Sequence, residues 1–315
     1  MGTINSKKKK KKILNVNSEL FNFNIIKLFN INKVQVISIF PSGILISISD
    51  DKSIKLWDKT FQILTDIKEA HNKSIKNIYI KDENNFATSS NEFDIKTWRK
   101  NKKEIICNKI IKKAHNDIIN KIIYYKNEEI ISCSNDKTLK IWQFSNNNYQ
   151  LMTVIKEKNT ITSLFILNDL NILISPSIDG TKFWKINEDL KNIEYIFKLK
   201  DAICYNPKSI DRINKDKIII GGLNDLNVIS ILERKIIKNI QTMNRFNEIK
   251  SFEDKGFILV SEWSPKINVF NIKTIQLIRI IDYGHVDNVI GFVKINNDLI
   301  LSYSKDNTVI LWKSN

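Results

Sequence analysis

The chain has 315 residues, of which 50 are Lys or Arg and 34 are Asp or Glu, so its formal net charge is +16 at pH 7. Hydrophobic residues make up 42%, while glycine and proline number only 8 and 4, a composition that excludes collagen-like and flexible low-complexity chains and favours a sizeable core. No apolar run approaches the ~18 residues of a membrane-spanning helix. Three cysteines at no metal-like spacing suit a reducing compartment.

The N-terminal tail combines a lipidation pattern with a run of lysines. Residues 1–6 read MGTINS and match the N-myristoylation pattern M-G-x-x-x-S/T, with Gly2 as the acceptor. Six lysines follow directly, and they are Lys7, Lys8, Lys9, Lys10, Lys11 and Lys12. One myristoyl chain binds membranes only marginally, and a polybasic patch is the usual second signal. We therefore expect residues 1–18 to be a basic tail that holds the protein at the cytoplasmic face of a membrane; a solvated tail or a nuclear-import signal are the alternatives.

Three segments of the chain share one spacing of polar and aromatic residues. In each, a hydroxyl residue follows a histidine by 17 residues, an acidic residue comes four later, and a tryptophan comes six after that. The three sets are His71, Thr88, Glu92 and Trp98; His115, Ser132, Asp136 and Trp142; and His285, Ser302, Asp306 and Trp312. A fourth set keeps the offsets with asparagine in place of histidine, and it consists of Asn30, Ser47, Asp51 and Trp57.

Apolar and polar residues alternate with a period of two around these marks. The segments SIKLW, TLKIW and TVILW each follow a polar turn, which is typical of short strands in a sandwich, barrel or propeller. The segments SDDKSIKLWD (49–58), SNDKTLKIWQ (134–143) and YGHVDNV (283–289) resemble WD40 repeats. Trp57 and Trp312 are 255 residues apart, or six intervals of 42.5, within the ~40–45 residues of a WD40 blade. The resemblance implies an all-β, seven-bladed propeller over residues 19–315.

Three of the seven blades keep the pattern less well. Blades 5 and 6 are degenerate, because Ile231 and Phe270 stand where the repeat usually has tryptophan. In blade 4, Asp179 precedes Trp184 by only five residues. A one-residue deletion within a strand would turn each later side chain to the opposite face. Trp184 is therefore not expected to join the repeated set.

The two ends of the chain are expected to meet. Trp312 falls on the third strand of the last blade and is followed by only three residues, which leaves that blade without a fourth strand. The segment FNFNIIKLF (21–29) is a strand candidate with no blade of its own. We predict that it pairs with the last blade and closes the ring, which removes an exposed sheet edge.

The recurring histidine, hydroxyl and acid could also suggest a hydrolase triad. Such a triad is a single site with an exposed nucleophile and an oxyanion hole, whereas this set recurs once per blade beside a tryptophan. A buried hydrogen-bonded network in each blade explains the recurrence better. Histidines on three different blades lie too far apart to share a metal, and the sequence has no Gly-rich phosphate loop, HExxH or Cys-x-x-Cys motif. We expect a non-enzymatic protein with no catalytic site, no metal and no cofactor.

The resemblance also implies a docking face. In WD40 proteins the loop with the histidine and the turn with the acid lie on one face, which commonly binds the partner. The partner-face candidates are Lys52, Lys73, Phe93, Lys137, Trp263 and Lys305. Phe93 and Trp263 stand out, because turns are normally polar and aromatic residues are enriched at binding hot spots. A slip in the alignment of blade 6 would instead place Trp263 in the core.

Two functions fit these patterns. The first is a monomeric, cytoplasmic scaffold for protein–protein interactions, held peripherally at a membrane by myristate and polylysine. The alternative is a basic propeller docked on ribosomal RNA, similar to the receptor-for-activated-kinase scaffold of the small ribosomal subunit. Only five of the 50 cations are arginine, the side chain suited to bidentate phosphate recognition. Outside the tail no stripe of cations is concentrated, and both observations favour the scaffold.

Overall fold

A computed structural model describes residues 23–102, 104–187, 193–206 and 208–314, and these form a ring of four-stranded antiparallel sheets. Each sheet is one blade of a seven-bladed β-propeller, as predicted. In six blades the four strands follow one another along the chain, so that the first strand lines the central channel and the fourth lies at the outer edge.

The strands have the following bounds. β1 (Phe23–Asn30) precedes the first complete blade. Blade 1 contains β2 (Val34–Ile39), β3 (Leu45–Ser49), β4 (Ile54–Trp57) and β5 (Ile63–Ile67). Blade 2 contains β6 (Ile75–Ile80), β7 (Asn85–Ser90), β8 (Ile95–Asn101) and β9 (Glu104–Ile111). Blade 3 contains β10 (Ile119–Tyr124), β11 (Ile130–Ser134), β12 (Thr138–Ser145) and β13 (Asn148–Lys156).

The second half of the chain repeats the arrangement. Blade 4 contains β14 (Phe165–Leu167), β15 (Ile172–Ser177), β16 (Gly180–Ile186) and β17 (Ile193–Leu199). Blade 5 contains β18 (Ile210–Arg212), β19 (Lys217–Gly221), β20 (Asp225–Ser230) and β21 (Lys235–Gln241). Blade 6 contains β22 (Phe246–Phe252), β23 (Phe257–Glu262), β24 (Ile267–Asn271) and β25 (Leu277–Ile281). Blade 7 contains β26 (Val289–Lys294), β27 (Leu299–Ser304) and β28 (Thr308–Ser314), together with β1. Single 3₁₀ turns at Lys126–Glu128 and Glu253–Lys255 join strands within blades 3 and 6.

Blade 7 takes its outer strand from the other end of the chain. β1 pairs antiparallel with β28, from Phe23 opposite Ser314 to Asn30 opposite Thr308. The predicted closure of the ring by the N-terminal strand is confirmed. Phe23 is buried in the core between blades 6 and 7, where its ring meets that of Phe257 edge-on at 5.5 Å.

The hydrophobic core lies between neighbouring blades rather than inside any one of them. The cluster between blades 1 and 2 is typical: Phe40 and Phe86 meet edge-on at 5.9 Å, and Phe86 stacks on Trp98 at 6.1 Å. Each remaining pair of neighbours shares a cluster of the same kind. A blade therefore has no complete core of its own and depends on both neighbours.

The expectation for Trp184 is wrong. Its indole N–H donates to Ser175 Oγ over 2.7 Å, the same contact that the other blade tryptophans make. The residue missing from blade 4 is lost from the turn and not from a strand. In blade 3, β11 and β12 are separated by the three residues 135–137, whereas in blade 4 only residues 178–179 separate β15 from β16. The strands keep their register, so Trp184 keeps its face.

The tryptophan position of blade 5 was also misplaced. In blades 1 to 4 and in blade 6, the pairing of the third and fourth strands has a register shift immediately before the tryptophan position, as between Ile141 and Trp142. In blade 6 this shift lies just before Phe270, which supports the prediction that Phe270 fills the position. In blade 5 the shift lies between Val228 and Ile229, so Ile229 and not Ile231 fills the position. An error of two residues along a strand keeps the same face, and for that reason the alternation could not reveal it.

Candidate functional site

A hydrogen-bonded network crosses blade 3 from its core to its rim. The indole N–H of Trp142 donates to Ser132 Oγ over 2.9 Å, and Ser132 Oγ lies 2.7 Å from Nε2 of His115. Nδ1 of His115 lies 2.9 Å from Oδ2 of Asp136. Because the serine accepts from the tryptophan, it donates to Nε2, and the neutral imidazole then donates its Nδ1 proton to the carboxylate. The residues thus form one chain of donors and acceptors.

Blades 2 and 7 repeat this network. In blade 2, Thr88 Oγ1 lies 2.7 Å from the indole nitrogen of Trp98 and 2.7 Å from Nε2 of His71. Nδ1 of His71 lies 2.7 Å from Oε1 of Glu92. In blade 7 the corresponding distances are 2.7, 2.7 and 3.3 Å, and the members are Trp312, Ser302, His285 and Asp306. The structure therefore brings together all three sets that share the sequence spacing.

Blade 1 keeps only part of the network. Trp57 donates to Ser47 Oγ over 2.9 Å, and Asp51 accepts the backbone N–H of Ser53 over 3.0 Å. Asn30, which stands in the histidine position, is exposed at the end of β1. Blade 1 thus has the tryptophan and the hydroxyl of the network without its imidazole.

Burial sets the charge state of these networks. It lowers the pKa of His71 and of His115 to about 4, more than the neighbouring carboxylates raise it. Burial alone would raise the pKa of Asp136, but hydrogen bonds from Thr138 and from the backbone of Asn116 outweigh it and lower the pKa to about 2. Near pH 7 each network therefore holds a neutral imidazole and a charged carboxylate.

The hydroxyl groups of these networks have no access to a substrate. Thr88, Ser132 and Ser302 are each 0% exposed, and each oxygen contacts an indole nitrogen and an imidazole. A nucleophilic serine needs an approach path and donors for an oxyanion. Among the described residues, moreover, no group of three His, Cys, Asp or Glu side chains could hold a metal ion. The geometry of the sets is that of a structural network.

The networks also fix the loops of one face of the ring. Because neighbouring strands run antiparallel, the loops between blades and the turns between second and third strands lie on the same side, which we call the top face. Each acid accepts the backbone N–H of the residue after the histidine, as Asp136 does from Asn116 over 3.0 Å. Asp136 also accepts the N–H of Thr138 in the turn over 2.9 Å. A loop and a turn of the top face are thereby tied together.

The partner-face candidates fall on these loops and turns. Lys52, Phe93 and Lys137 take the same left-handed position in successive turns, with φ of 72°, 68° and 67°. The two lysines are exposed, and Phe93 is half-buried. Lys73 and Lys305 are exposed as well, the first in the loop before blade 2 and the second in the turn of blade 7.

Trp263 is an exposed residue of the top face, not a core residue. It follows β23, and 52% of its surface is exposed. The guanidinium of Arg245 lies 5.2 Å from its ring centre, and Nζ of Lys305 lies 5.7 Å from it. The same guanidinium lies 5.9 Å from the ring of Tyr205. We call these four residues the Trp263 cluster.

No pattern in the sequence indicates that Arg245 and Tyr205 lie beside Trp263. They lie in the loops that lead into blades 6 and 5, and the packing of the consecutive blades 5, 6 and 7 brings residues 205, 245, 263 and 305 together. The one available signal was the rarity of arginine, since Arg245 is one of five in the chain.

Blade 6 has its own substitute for the histidine network. Glu262 is buried, and its carboxylate accepts Nδ2 of Asn244 over 3.1 Å and Nδ2 of Asn268 over 3.0 Å. The backbone N–H of Trp263 donates to the carbonyl of Arg245 over 2.8 Å. The bond from Asn244 and the bond from Trp263 join the loop before blade 6 to the end of β23 and the turn after it, so Trp263 and Arg245 are held side by side.

The sequence comparisons agree with the repeat. A family model described as WD domain, G-beta repeat (WD40), matches residues 107–143, which run from β9 to β12. No curated protein matches the chain. In the part of the chain that the structure describes, no helix is long and apolar enough to cross a bilayer.

Proposed function

We propose that this chain, a member of the WD40-repeat family, is a non-enzymatic scaffold that binds partner proteins through the Trp263 cluster on its top face. WD40 propellers generally serve as protein-interaction scaffolds, and they are typically not enzymes. The observation that carries the proposal is the half-exposed Trp263 between two cations. Trp, Tyr and Arg are the residues most enriched at binding hot spots.

The surroundings of the Trp263 cluster support a polypeptide partner. Met243 is 94% exposed in the loop before blade 6, and Val286 is 84% exposed in the loop before blade 7. These apolar side chains on loops that flank the cluster would be covered by a partner of ordinary interface size. The cations at the centre favour an acidic surface on that partner, since complementary charge steers encounter and fixes orientation.

The buried networks contribute to binding indirectly. They join loop to turn in blades 2, 3 and 7, and Glu262 does the same beside the Trp263 cluster. A surface that is held in place before the partner arrives loses less conformational entropy on binding. The repeated spacing of the sets within this chain is thereby explained by a rigid docking face rather than by a reaction.

Replacing Trp263 by alanine should remove the partners of the protein without unfolding it. Quantitative affinity capture from native cells, with mass spectrometry of the bound proteins, should show specific partners reduced about tenfold or more, the scale of a hot-spot residue. Arg245→Ala should act in the same direction. The matched control is Ile106→Ala on the outer strand β9, where Ile106 is similarly exposed at 58%. Equal capture by Trp263→Ala and Ile106→Ala would contradict a top-face docking site.

The proposal extends to location through the N-terminal tail. Gly2 and Lys7–Lys12 lie outside the described residues, and the support for an anchor is the pairing of the myristoylation pattern with an adjacent polybasic run. Each lysine near an anionic leaflet contributes about 1 kcal/mol. Neither signal alone is expected to hold the protein at a membrane, because a single myristoyl chain binds marginally and the lysines are screened by salt.

Gly2→Ala should move the protein from the membrane fraction to the soluble fraction. Neutralising Lys7–Lys12 by glutamine should do the same. Intact-mass measurement should show the added acyl group on the wild type and on the lysine variant, which keep Gly2, and not on Gly2→Ala. Sedimentation of the wild type with ribosomes, unchanged by Gly2→Ala and steeply weakened by salt, would favour the RNA-docked alternative instead.

A further inference from the structure

The central channel carries a cluster of charged side chains that the docking function does not use. Lys121 of β10, Lys208 just before β18, and Glu248 and Lys250 of β22 line two cavities of about 260 and 330 Å³. All four residues border both cavities, so the two spaces adjoin at this cluster. Asp211 borders the first cavity as well, so three ammonium groups face two carboxylates inside the ring.

Lys208 is held in place and still has a donor to offer. Its Nζ donates to the carbonyl of Gln35 over 3.0 Å and to Oη of Tyr303 over 3.1 Å, so it reaches across the channel to blades 1 and 7. An ammonium group has three N–H donors. Two are used in these bonds, and the third is left for the cavity.

The other two lysines differ in how they are paired. Nζ of Lys250 lies 4.0 Å from Oδ2 of Asp211. Nζ of Lys121 has no hydrogen bond and no carboxylate within 4.0 Å among residues 23–102, 104–187, 193–206 and 208–314. Glu248, the remaining carboxylate, already accepts the backbone N–H of Phe292 over 3.0 Å.

The pKa shifts of the three lysines separate the paired one from the other two. Asp211 raises the pKa of Lys250, as a paired lysine requires. Burial instead lowers the pKa of Lys121, and it lowers that of Lys208 to about 8. Glu248 raises the pKa of both lysines without offsetting the effect of burial. Lys121 and Lys208 are therefore the two ammonium groups that lack a full counter-charge.

We propose that the channel binds a small oxyanion of the phosphate class between Lys121, Lys208 and Lys250. With Lys250 paired to Asp211, Lys121 and Lys208 share the single carboxylate of Glu248, which leaves an excess positive charge for an anion. Charge-assisted N–H···O bonds are the strong ones in proteins. The cavities lie near the lower limit of the ~300–1,000 Å³ typical of drug-sized ligand sites, which suits a small anion better than a nucleotide. Lys208 also borders a cavity of about 330 Å³ that opens beside Trp263, so the anion has a route from the top face.

The test is calorimetric titration of the full chain with inorganic phosphate and with sulfate, against chloride at equal ionic strength. Both oxyanions should bind one per chain and raise the melting temperature more than chloride does. Lys121→Met, which keeps the length of the side chain and removes its charge, should weaken binding about tenfold or more. Glu248→Gln, which keeps an acceptor for Phe292, should strengthen binding about tenfold, because it removes the carboxylate that borders both cavities.

The control is Lys137→Met, which removes an exposed lysine from a turn of the top face and should leave binding unchanged. Lys121→Met should weaken anion binding and Glu248→Gln should strengthen it. This opposite change in affinity distinguishes a binding site from a loss of folding, since a destabilised chain would not bind more tightly. If phosphate and sulfate give no more binding heat and no higher melting temperature than chloride with the wild type, the proposal is overturned. Equal weakening by Lys137→Met and Lys121→Met would overturn it as well, because it would show only a general effect of net charge.

Discussion

Deleting residues 1–29 should produce a chain that unfolds or aggregates at temperatures where the full chain is stable. The deletion removes β1 up to its last residue, and with it the outer strand of blade 7. It also removes the backbone partner of β28 and leaves that strand as an exposed edge. Circular dichroism melting and size-exclusion chromatography would measure the effect. Deletion of residues 2–12 is the control and should melt like the full chain, since it leaves β1 intact.

Substitutions within β1 distinguish the stability that its buried side chain contributes from the stability that its backbone pairing with β28 contributes. Phe23 is 3% exposed against Phe257, and Tyr283 Oη donates to its carbonyl over 2.7 Å. Phe23→Ala should lower the free energy of unfolding by about 3–5 kcal/mol, the usual cost of truncating a buried phenylalanine. Leu28→Ala on the same strand should cost less than about 1 kcal/mol, because Leu28 is 51% exposed. If the 1–29 deletion melts like the full chain, the ring closes without β1.

Acidification from pH 7 to pH 4 should destabilise the fold through its buried histidines. In the unfolded chain His71 and His115 titrate near 6.5, whereas burial lowers the pKa of both to about 4 in the fold. The unfolded state therefore binds more protons than the folded state between these two values, and stability falls as the pH falls through this window. The loss is on the order of 2–3 kcal/mol for each of the two histidines by pH 4.

The carboxylates of the networks extend the loss to lower pH. The pKa of Asp136 is lowered to about 2, so the stability that its charged form contributes is present above pH 4 and is lost as the pH falls towards 2. Urea unfolding at a series of pH values would measure both windows. His115→Gln should start less stable and show a shallower decline between pH 6.5 and 4, because one of the titrating groups is gone. An equally steep decline in that variant would show that other groups control acid unfolding.

The periodic features of this fold were predictable from the sequence, and the features that depend on turns were not. The spacing of His115, Ser132, Asp136 and Trp142 repeats in the other complete sets, because each blade must satisfy the same buried indole N–H. The shorter turn before Trp184 could not be told from a deletion within a strand, since both shorten the interval by one residue. Turn length is a local property that alternation does not report.

The candidate surfaces were harder to predict because they join residues that are distant along the chain. The sequence marks Trp263 as an aromatic residue in a turn, but its contacts with Arg245 and Lys305 depend on how blades 6 and 7 meet. Lys121 and Lys208 come together in the channel only because the ring is closed. In a chain with 50 basic residues, nothing local separates these lysines from those on the surface.

Hydrogen–deuterium exchange of the protein with and without its most abundant captured partner tests the central claim most directly. The docking function predicts slower exchange in the loop 242–245, the turn 263–266 and the turn 305–307, which surround Trp263 on the top face. The exchange of the outer strands β9, β13 and β17 should stay unchanged. Slower exchange confined to those outer strands, with the loops around Trp263 unaffected, would contradict a top-face scaffold.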